Sequence, residues 1–404
     1  MANFLFTWEM GANLGHLARL RPLMQLASRQ GHTLSVALRN LRFAGKVLDG
    51  MDFRAFQAPF RQAVNPRPAQ HCLSHAHTLE DFCFSQSDEL AQYIKAWQEI
   101  FAAVRPDLIV YDTSPAALIA SRDMTVGKII TGNGFFVPPT ALRDGVFAPF
   151  LTTARDAKTM QILRENDRRM LELVNGACKR SGLSGFGGLQ DIYAQADLAL
   201  YATLPELDQF GARKGAHYLG PQPSFGSAPL TWPSGGRDKV FCYLHSFAGI
   251  DTLLRDLCAQ DLKLLVYCRD LPEELRARLA RAGNIAFSAE PVSIEAVGRE
   301  ARFVVHNAGD TTAAQFLQQG VPQLCVPMKQ DQLLTALCLD RAGVGVTALH
   351  NSTSFLGEIR QLRERPGLRE RALVYRQRYA DFNWGQSEAW VGEQYRTLLA
   401  TTGR

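Results

Sequence analysis

Cysteine is present without a pattern: eight residues in 404, with no Cys-x-x-Cys pair and no metal-ligand spacing. Cys242, Cys268 and Cys325 sit in apolar runs, which predicts buried thiols in a reducing compartment and argues against a disulfide-framed scaffold. Long apolar runs are missing too. None approaches the roughly 20 residues a spanning helix needs, and the NFLF start lacks the basic region and cleavage site of a secretory leader, so a cytoplasmic protein is expected. There is no short repeat and no low-complexity segment. Charge of one sign is weak: a net +5 suits an anionic ligand or lipid headgroup but is too diffuse for nucleic-acid binding. What is present, 46% hydrophobic and 21% charged residues, is the composition of a globular protein. A chain of this length exceeds one ordinary core and predicts two domains.

Strand and helix signals alternate along the first half. NFLFTWE reads as a strand, GANLG as a glycine-bounded loop, and HLARLRPLMQLASRQ as a helix with Leu17, Leu20, Met24 and Ala27 at helical spacing. LSVAL, PDLIVYD and KIITGN read as further strands, with helices ELAQYIKAWQEIFAAV and SPAALIASRD between them. Residues 155–180 form a long, basic, amphipathic helical stretch. Residues 219–238 are rich in Pro, Gly and Ser and mark a linker. The rhythm then restarts with VFCYLHSF, IDTLLRDLCAQ and LKLLVYC. The expectation is α/β, two Rossmann-like doubly wound parallel-sheet domains: residues 1–218, a linker at 219–238, residues 239–383, and a terminal helix from 384 to 404.

The most informative stretch is HNAGDTTAAQFLQQGVPQLCVPMKQDQ, residues 306–332. ARFVVH before it reads as a buried parallel strand, and TTAAQFLQQ as a helix stopped at Gly320. A helix opening at Gly309, Asp310, Thr311 and Thr312 presents backbone N–H groups and the positive end of its dipole, a ready site for a diphosphate. About one strand later Asp331 and Gln332 are expected on a loop at the same sheet edge. Asp accepts from hydroxyls, while Gln accepts and donates. A diphosphate cradle beside a hydroxyl-reading pair implies a nucleotide sugar.

This stretch resembles the donor-binding signature of family 1 glycosyltransferases, in particular bacterial UDP-glucosyl/glucuronosyltransferase-like proteins. Gly320-Val321-Pro322, Pro327 and Asp331-Gln332 match in residue and spacing. To the left, Asn307 falls on the family's His, with His306 before it; Ala308 and Gly309 fall on its two Gly, Thr311 on a third and Thr312 on its Thr. Ser246 resembles the phosphate-touching Ser after the first strand of the second domain, with a turn residue as the plain alternative. Ala289 and Val292 stand where the family has its base-stacking Trp and its Gln. Base recognition therefore rests on other groups. The resemblance implies the GT-B fold, with the two domains facing across a cleft and the terminal helix returning to the first. It also implies hexosyl transfer from a UDP- or dTDP-linked sugar, with no further cofactor.

Such a transfer needs a base for the acceptor hydroxyl. His16 follows the first loop at the carboxyl edge of the first strand, and Asp112 ends PDLIVYD at the same edge. The resemblance agrees, because Gly15-His16 resembles the family's catalytic loop and Asp112 its supporting carboxylate. A helix-capping or packing role remains open for His16. An N-cap role remains open for Asp112 and can coexist with the catalytic one. Phe135 and Phe136 line either an acceptor pocket or the core. His71, His75 and His77 read as solvated rather than metal-binding, so no metal is expected. The absence of any Asp-x-Asp motif fits diphosphate neutralisation by helix amides. The partners expected are a nucleotide sugar and a hydroxyl-bearing small molecule, lipid or saccharide, for a monomer or homodimer. Residues 155–180 are read as a solvated face, with a peripheral membrane contact as the alternative. Two other functions stay open, a UDP-sugar 2-epimerase of the same fold and a non-catalytic nucleotide-sugar or partner-binding module. An NAD oxidoreductase is disfavoured because the first loop lacks Gly-x-Gly-x-x-Gly.

Overall fold

A computed structural model describes residues 1–11, 15–63, 65–68, 71–221, 228–382 and 384–401. The chain divides into two compact units, one of residues 1–203, 210–220 and 383–404, the other of residues 204–209 and 221–382. Residues 222–227 of the expected linker, Asn383 at the end of the expected second domain and 402–404 at the end of the expected terminal helix lie outside the described residues.

The first unit holds a seven-stranded sheet of β1 (Asn3–Trp8), β2 (Thr33–Leu38), β3 (Arg54–Gln57), β4 (Leu108–Asp112), β5 (Gly127–Gly132), β6 (Leu198–Tyr201) and β7 (His217–Tyr218). The order is 3-2-1-4-5-6-7 and every pairing is parallel. Central strands β1 and β4 are apolar almost throughout because helices cover both of their faces. Leu5, Ile109 and Tyr111 pack toward Trp97 and Phe101 of the Ser87–Val104 helix. Phe4, Phe6 and Val110 pack toward Leu17, Leu20 and Met24 of the Gly15–Arg29 helix. The terminal helix, Trp384–Thr401, is part of this unit: buried Tyr395 lies edge-on to Phe4 and donates to the Leu23 carbonyl.

The second unit holds β8 (Asp238–Tyr243), β9 (Leu262–Tyr267), β10 (Ile285–Phe287), β11 (Phe303–His306), β12 (Gln323–Cys325) and β13 (Gly345–Thr347). They form an all-parallel sheet in the order 10-9-8-11-12-13. Of the Pro-Gly-Ser stretch, the described part from Ala228 is laid onto this unit. Trp232 packs with Phe241 and Val292 and donates to Glu300.

Several elements differ from the sequence reading. Asp331 and Gln332 lie in the first turn of the Gln330–Arg341 helix and not on a loop. Lys329 supplies the extended residue from which that helix starts, without any side-chain cap to announce it. β3 lacks an apolar pattern because it is an edge strand with exposed side chains. Among the described residues no helix is long and apolar enough to cross a membrane.

Tyr395→Ala removes the buried ring by which the terminal helix packs on Phe4 of the first sheet. It is expected to cost about 3–5 kcal/mol, read as a lowered urea-unfolding free energy.

Candidate active site

β1 and β4 are neighbours at the centre of their sheet, with Trp8 opposite Asp112. Successive strands are added outward from β1 on one side and from β4 on the other, so the crevice at their carboxyl ends is the topological switch point, where ligands of open α/β sheets bind. Residues 12–14 of the GANLG loop lie outside the described residues; Gly15 opens the first helix and His16 follows it. His16 is 5% exposed, and its Nδ1 lies 3.1 Å from Asp112 Oδ1. Asp112 is fully enclosed. The same Oδ1 accepts Arg19 Nη1 at 2.8 Å and Thr113 Oγ1 at 2.7 Å. Oδ2 is buried without a partner among the described residues. Burial would push the Asp112 carboxyl up, but the Arg19 guanidinium, then the His16 ring and the Thr113 hydroxyl, hold it below the usual carboxylate range.

The imidazole is flanked by two aromatic rings. Trp8 stacks at 5.1 Å between centroids, and Phe136 lies at 5.4 Å. Gly11, at φ +85, is pressed so close that a Cβ there would sit 2.2 Å from His16 Nε2. Arg19 escaped the sequence reading. The signal was available, since residues three apart share a helix face and Arg19 is three after His16.

Phe135 and Phe136 are not equivalent. Phe135 is buried and stacks on Phe150 at 5.5 Å, whereas half-buried Phe136 lies against His16. Met10, His75, Tyr111, Thr113, Phe136 and Tyr193 line a small cavity beside the Asp112 turn. The three histidines separate: His75 Nε2 pairs with the Tyr193 hydroxyl, His77 Nδ1 accepts from the Leu73 amide, and His71 is exposed. Burial lowers His75 to about 3 and His77 to about 4, so both rings are neutral at physiological pH. Beyond Trp8, the buried Glu9 carboxyl accepts the amides of Ala116 and Ala117, tying the end of β1 to the helix that follows β4. Burial, opposed by those amides, raises it to about 8.

In the second unit the switch point lies between β8 and β11. Here His306 is enclosed. Its Nδ1 accepts the Ala308 amide, so the ring proton sits on Nε2, which donates to Gln323 Oε1 at 2.8 Å. Gln323 Nε2 passes the link to the Ala313 carbonyl. Burial lowers His306 to about 4 and keeps the chain neutral. Asn307 Oδ1 accepts the His245 amide and its Nδ2 donates to the Val326 carbonyl. The side chains of His306 and Asn307 are thus engaged in holding the turn. Half-buried Ser246 is fixed through its amide to Asp270.

The Asp310–Gln318 helix starts from Gly309, which offers no side-chain cap, and Thr311 and Thr312 stand half-buried in its first turn. Gln209 donates to Asp310 Oδ1 and to Thr335 Oγ1, drawing the Asp310 carboxylate toward the Gln330–Arg341 helix. Gln332 Oε1 turns inward to accept the Met328 amide, and Asp331 stands half-buried beside it.

No family model matches the chain. It is 27% identical over 341 residues to a PGL/p-HBAD biosynthesis rhamnosyltransferase of Mycobacterium bovis, covering 78% of this chain and 74% of that protein. Among solved structures it superposes on the spinosyn rhamnosyltransferase SpnG with a TM-score of 0.63 at 20% identity, over 93% of this chain and 95% of that one. SpnG has also been solved with thymidine diphosphate and with the spinosyn aglycone. The calicheamicin glycosyltransferase CalG4 aligns over 100% of both chains with a TM-score of 0.67 at 14% identity. The two parallel sheets are those of the GT-B fold.

Two outcomes check the scaffold. Gly11→Ala is expected to cost about 1–2 kcal/mol in unfolding free energy through its positive φ and to push the imidazole off Asp112, visible in a crystal structure of the variant. For Glu9, the folded value lies above the unfolded one, so its contribution is complete below about pH 4.5 and is lost as pH rises toward 8. Glu9→Gln keeps an acceptor without that charge. Urea melts at pH 5, 6.5 and 8 are expected to show the variant gaining on wild type with pH, by at most about 1.4 kcal/mol per unit.

Proposed function

We propose that this family 1 glycosyltransferase-like chain of the GT-B fold is an inverting enzyme that moves a hexosyl group from a dTDP- or UDP-linked donor to an acceptor hydroxyl. Rhamnose is the first sugar to try, because the Mycobacterium bovis relative and SpnG are both named rhamnosyltransferases. The acceptor is a hydroxyl on an apolar, ring-bearing scaffold, a reading supported by the aromatic lining beside the base.

The observation that carries the proposal is the buried pair of His16 and Asp112, 3.1 Å apart, at the switch point of the first sheet. In this reaction the acceptor oxygen attacks the anomeric carbon while its proton passes to His16 Nε2. The bond from that carbon to the diphosphate oxygen breaks, and its electron pair leaves with the diphosphate. Asp112, held ionised, fixes the ring through Nδ1 and stabilises the imidazolium that forms. The amides at the start of the Asp310–Gln318 helix, with the hydroxyls of Thr311 and Thr312, are suited to the departing diphosphate without a divalent cation. Asp331 and Gln332 are residue types suited to sugar hydroxyls.

The test separates binding from turnover. His16→Ala is expected to bind dTDP as wild type does in calorimetry, while transfer from dTDP-rhamnose to a phenolic acceptor panel falls by about 10²–10⁴-fold. Turnover at the wild-type rate would remove His16 from the mechanism. Wild type that binds dTDP yet neither transfers nor hydrolyses any dTDP- or UDP-sugar would point to a binding module.

A further inference from the structure

The carboxylate that orients His16 also holds a cation. Arg19 is 6% exposed, lies one helical turn beyond His16, and places Nη1 2.8 Å from the same Oδ1 that receives the imidazole. A guanidinium paired with a buried carboxylate for stability alone favours the bidentate fork, one nitrogen to each oxygen. Here Oδ2 takes nothing among the described residues, and both partners converge on one oxygen. We propose that Arg19 is a positioning residue of the transfer reaction, holding Asp112 against the base and opposing a lasting positive charge on the imidazole. This rests on the reading of His16 as the base.

The physical argument is short. With Asp112 alone, a buried carboxylate would favour a permanently protonated ring, which cannot accept the hydroxyl's proton. A fixed cation on the same oxygen weakens that pull while keeping Asp112 ionised. The other groups around the ring carry no charge: Trp8 from the end of β1, Gly11 from the loop, Phe136 from the turn after β5, and Thr113 after β4. The Glu9 carboxyl is spent on the amides of Ala116 and Ala117. Asp112 and Arg19 are therefore the charged groups in direct reach among the described residues.

The experiment is a pH titration of the histidine ring nitrogens by NMR on the full chain without ligand, with the His16 resonances identified by their loss in His16→Ala. Arg19→Met is expected to raise the His16 midpoint by about one pH unit, and Arg19→Lys to return most of that shift. An unmoved midpoint in folded Arg19→Met overturns the inference. Should that variant fail to fold, Arg19→Gln, which keeps a donor without the charge, decides on the same midpoint; failure of both to fold assigns the arginine to stability alone and also overturns it. The titration reads coupling in the free protein. Its failure leaves the His16→Ala turnover test standing, and failure of that turnover test leaves the measured coupling intact.

Discussion

Asp112 is a charged carboxylate with no contact with water, and the first unit is arranged around that fact. An ion in that position costs several kcal/mol unless its partners are close and well aligned. Arg19, His16 and Thr113 supply them from two directions, the first helix and the turn after β4. The parallel order 3-2-1-4-5-6-7 makes this convergence possible. It sets the end of β1 beside the end of β4, although about a hundred residues separate them in sequence. Glu9 reinforces the same junction by tying the β1 end to the helix after β4. A His–Asp pair held this way needs no movement to form; its members are already restrained on each side.

The second unit meets the same topological problem with neutral groups. The turn after β11 is held by a relay from the Ala308 amide through His306 and Gln323 to the Ala313 carbonyl, with each hydrogen donated by an uncharged group. Asn307 bridges the loops after β8 and β12. Leaving this turn uncharged matters for an anionic ligand. A buried carboxylate here would oppose a diphosphate, whereas a neutral relay lets the helix amides and dipole act undiminished. The one carboxylate in the first helical turn, Asp310, is drawn by Gln209 toward Thr335.

The alternating apolar strands and amphipathic helices made the two doubly wound sheets legible from the chain, and the strand-end positions of His16 and Asp112 put them where the topology brings them together. What stayed hidden depends on tertiary partners. Arg19 looks like a surface residue of a basic helix, and only the enclosed Asp112 explains its burial. His306 and Asn307 read as ligand groups because their neighbours matched a signature, but each finds its partners across β12 or β8. Asp331 and Gln332 were expected on a loop because no capping side chain marks the start of their helix. The edge strand β3 lacks the pattern that betrays a buried strand.

Both switch points share a further constraint. The residue after Asp112 is Thr113 at φ +51, and the residue after Asn307 is Ala308 at φ +56. Left-handed backbone costs a non-glycine residue roughly 1–2 kcal/mol, and for a β-branched one it is a true outlier. Each is retained by a bond that the unusual backbone allows. Thr113 aims its hydroxyl at Asp112 Oδ1, and Ala308 aims its amide at His306 Nδ1. Strain at these two turns is therefore tied to the bonds that fix the Asp112 carboxylate and the His306 ring. A glycine at either position would relax the backbone, but at 113 it would also delete the hydroxyl that helps keep Asp112 ionised. The electrostatics of the buried Asp112 thus hold in place a backbone conformation that local propensity alone would reject.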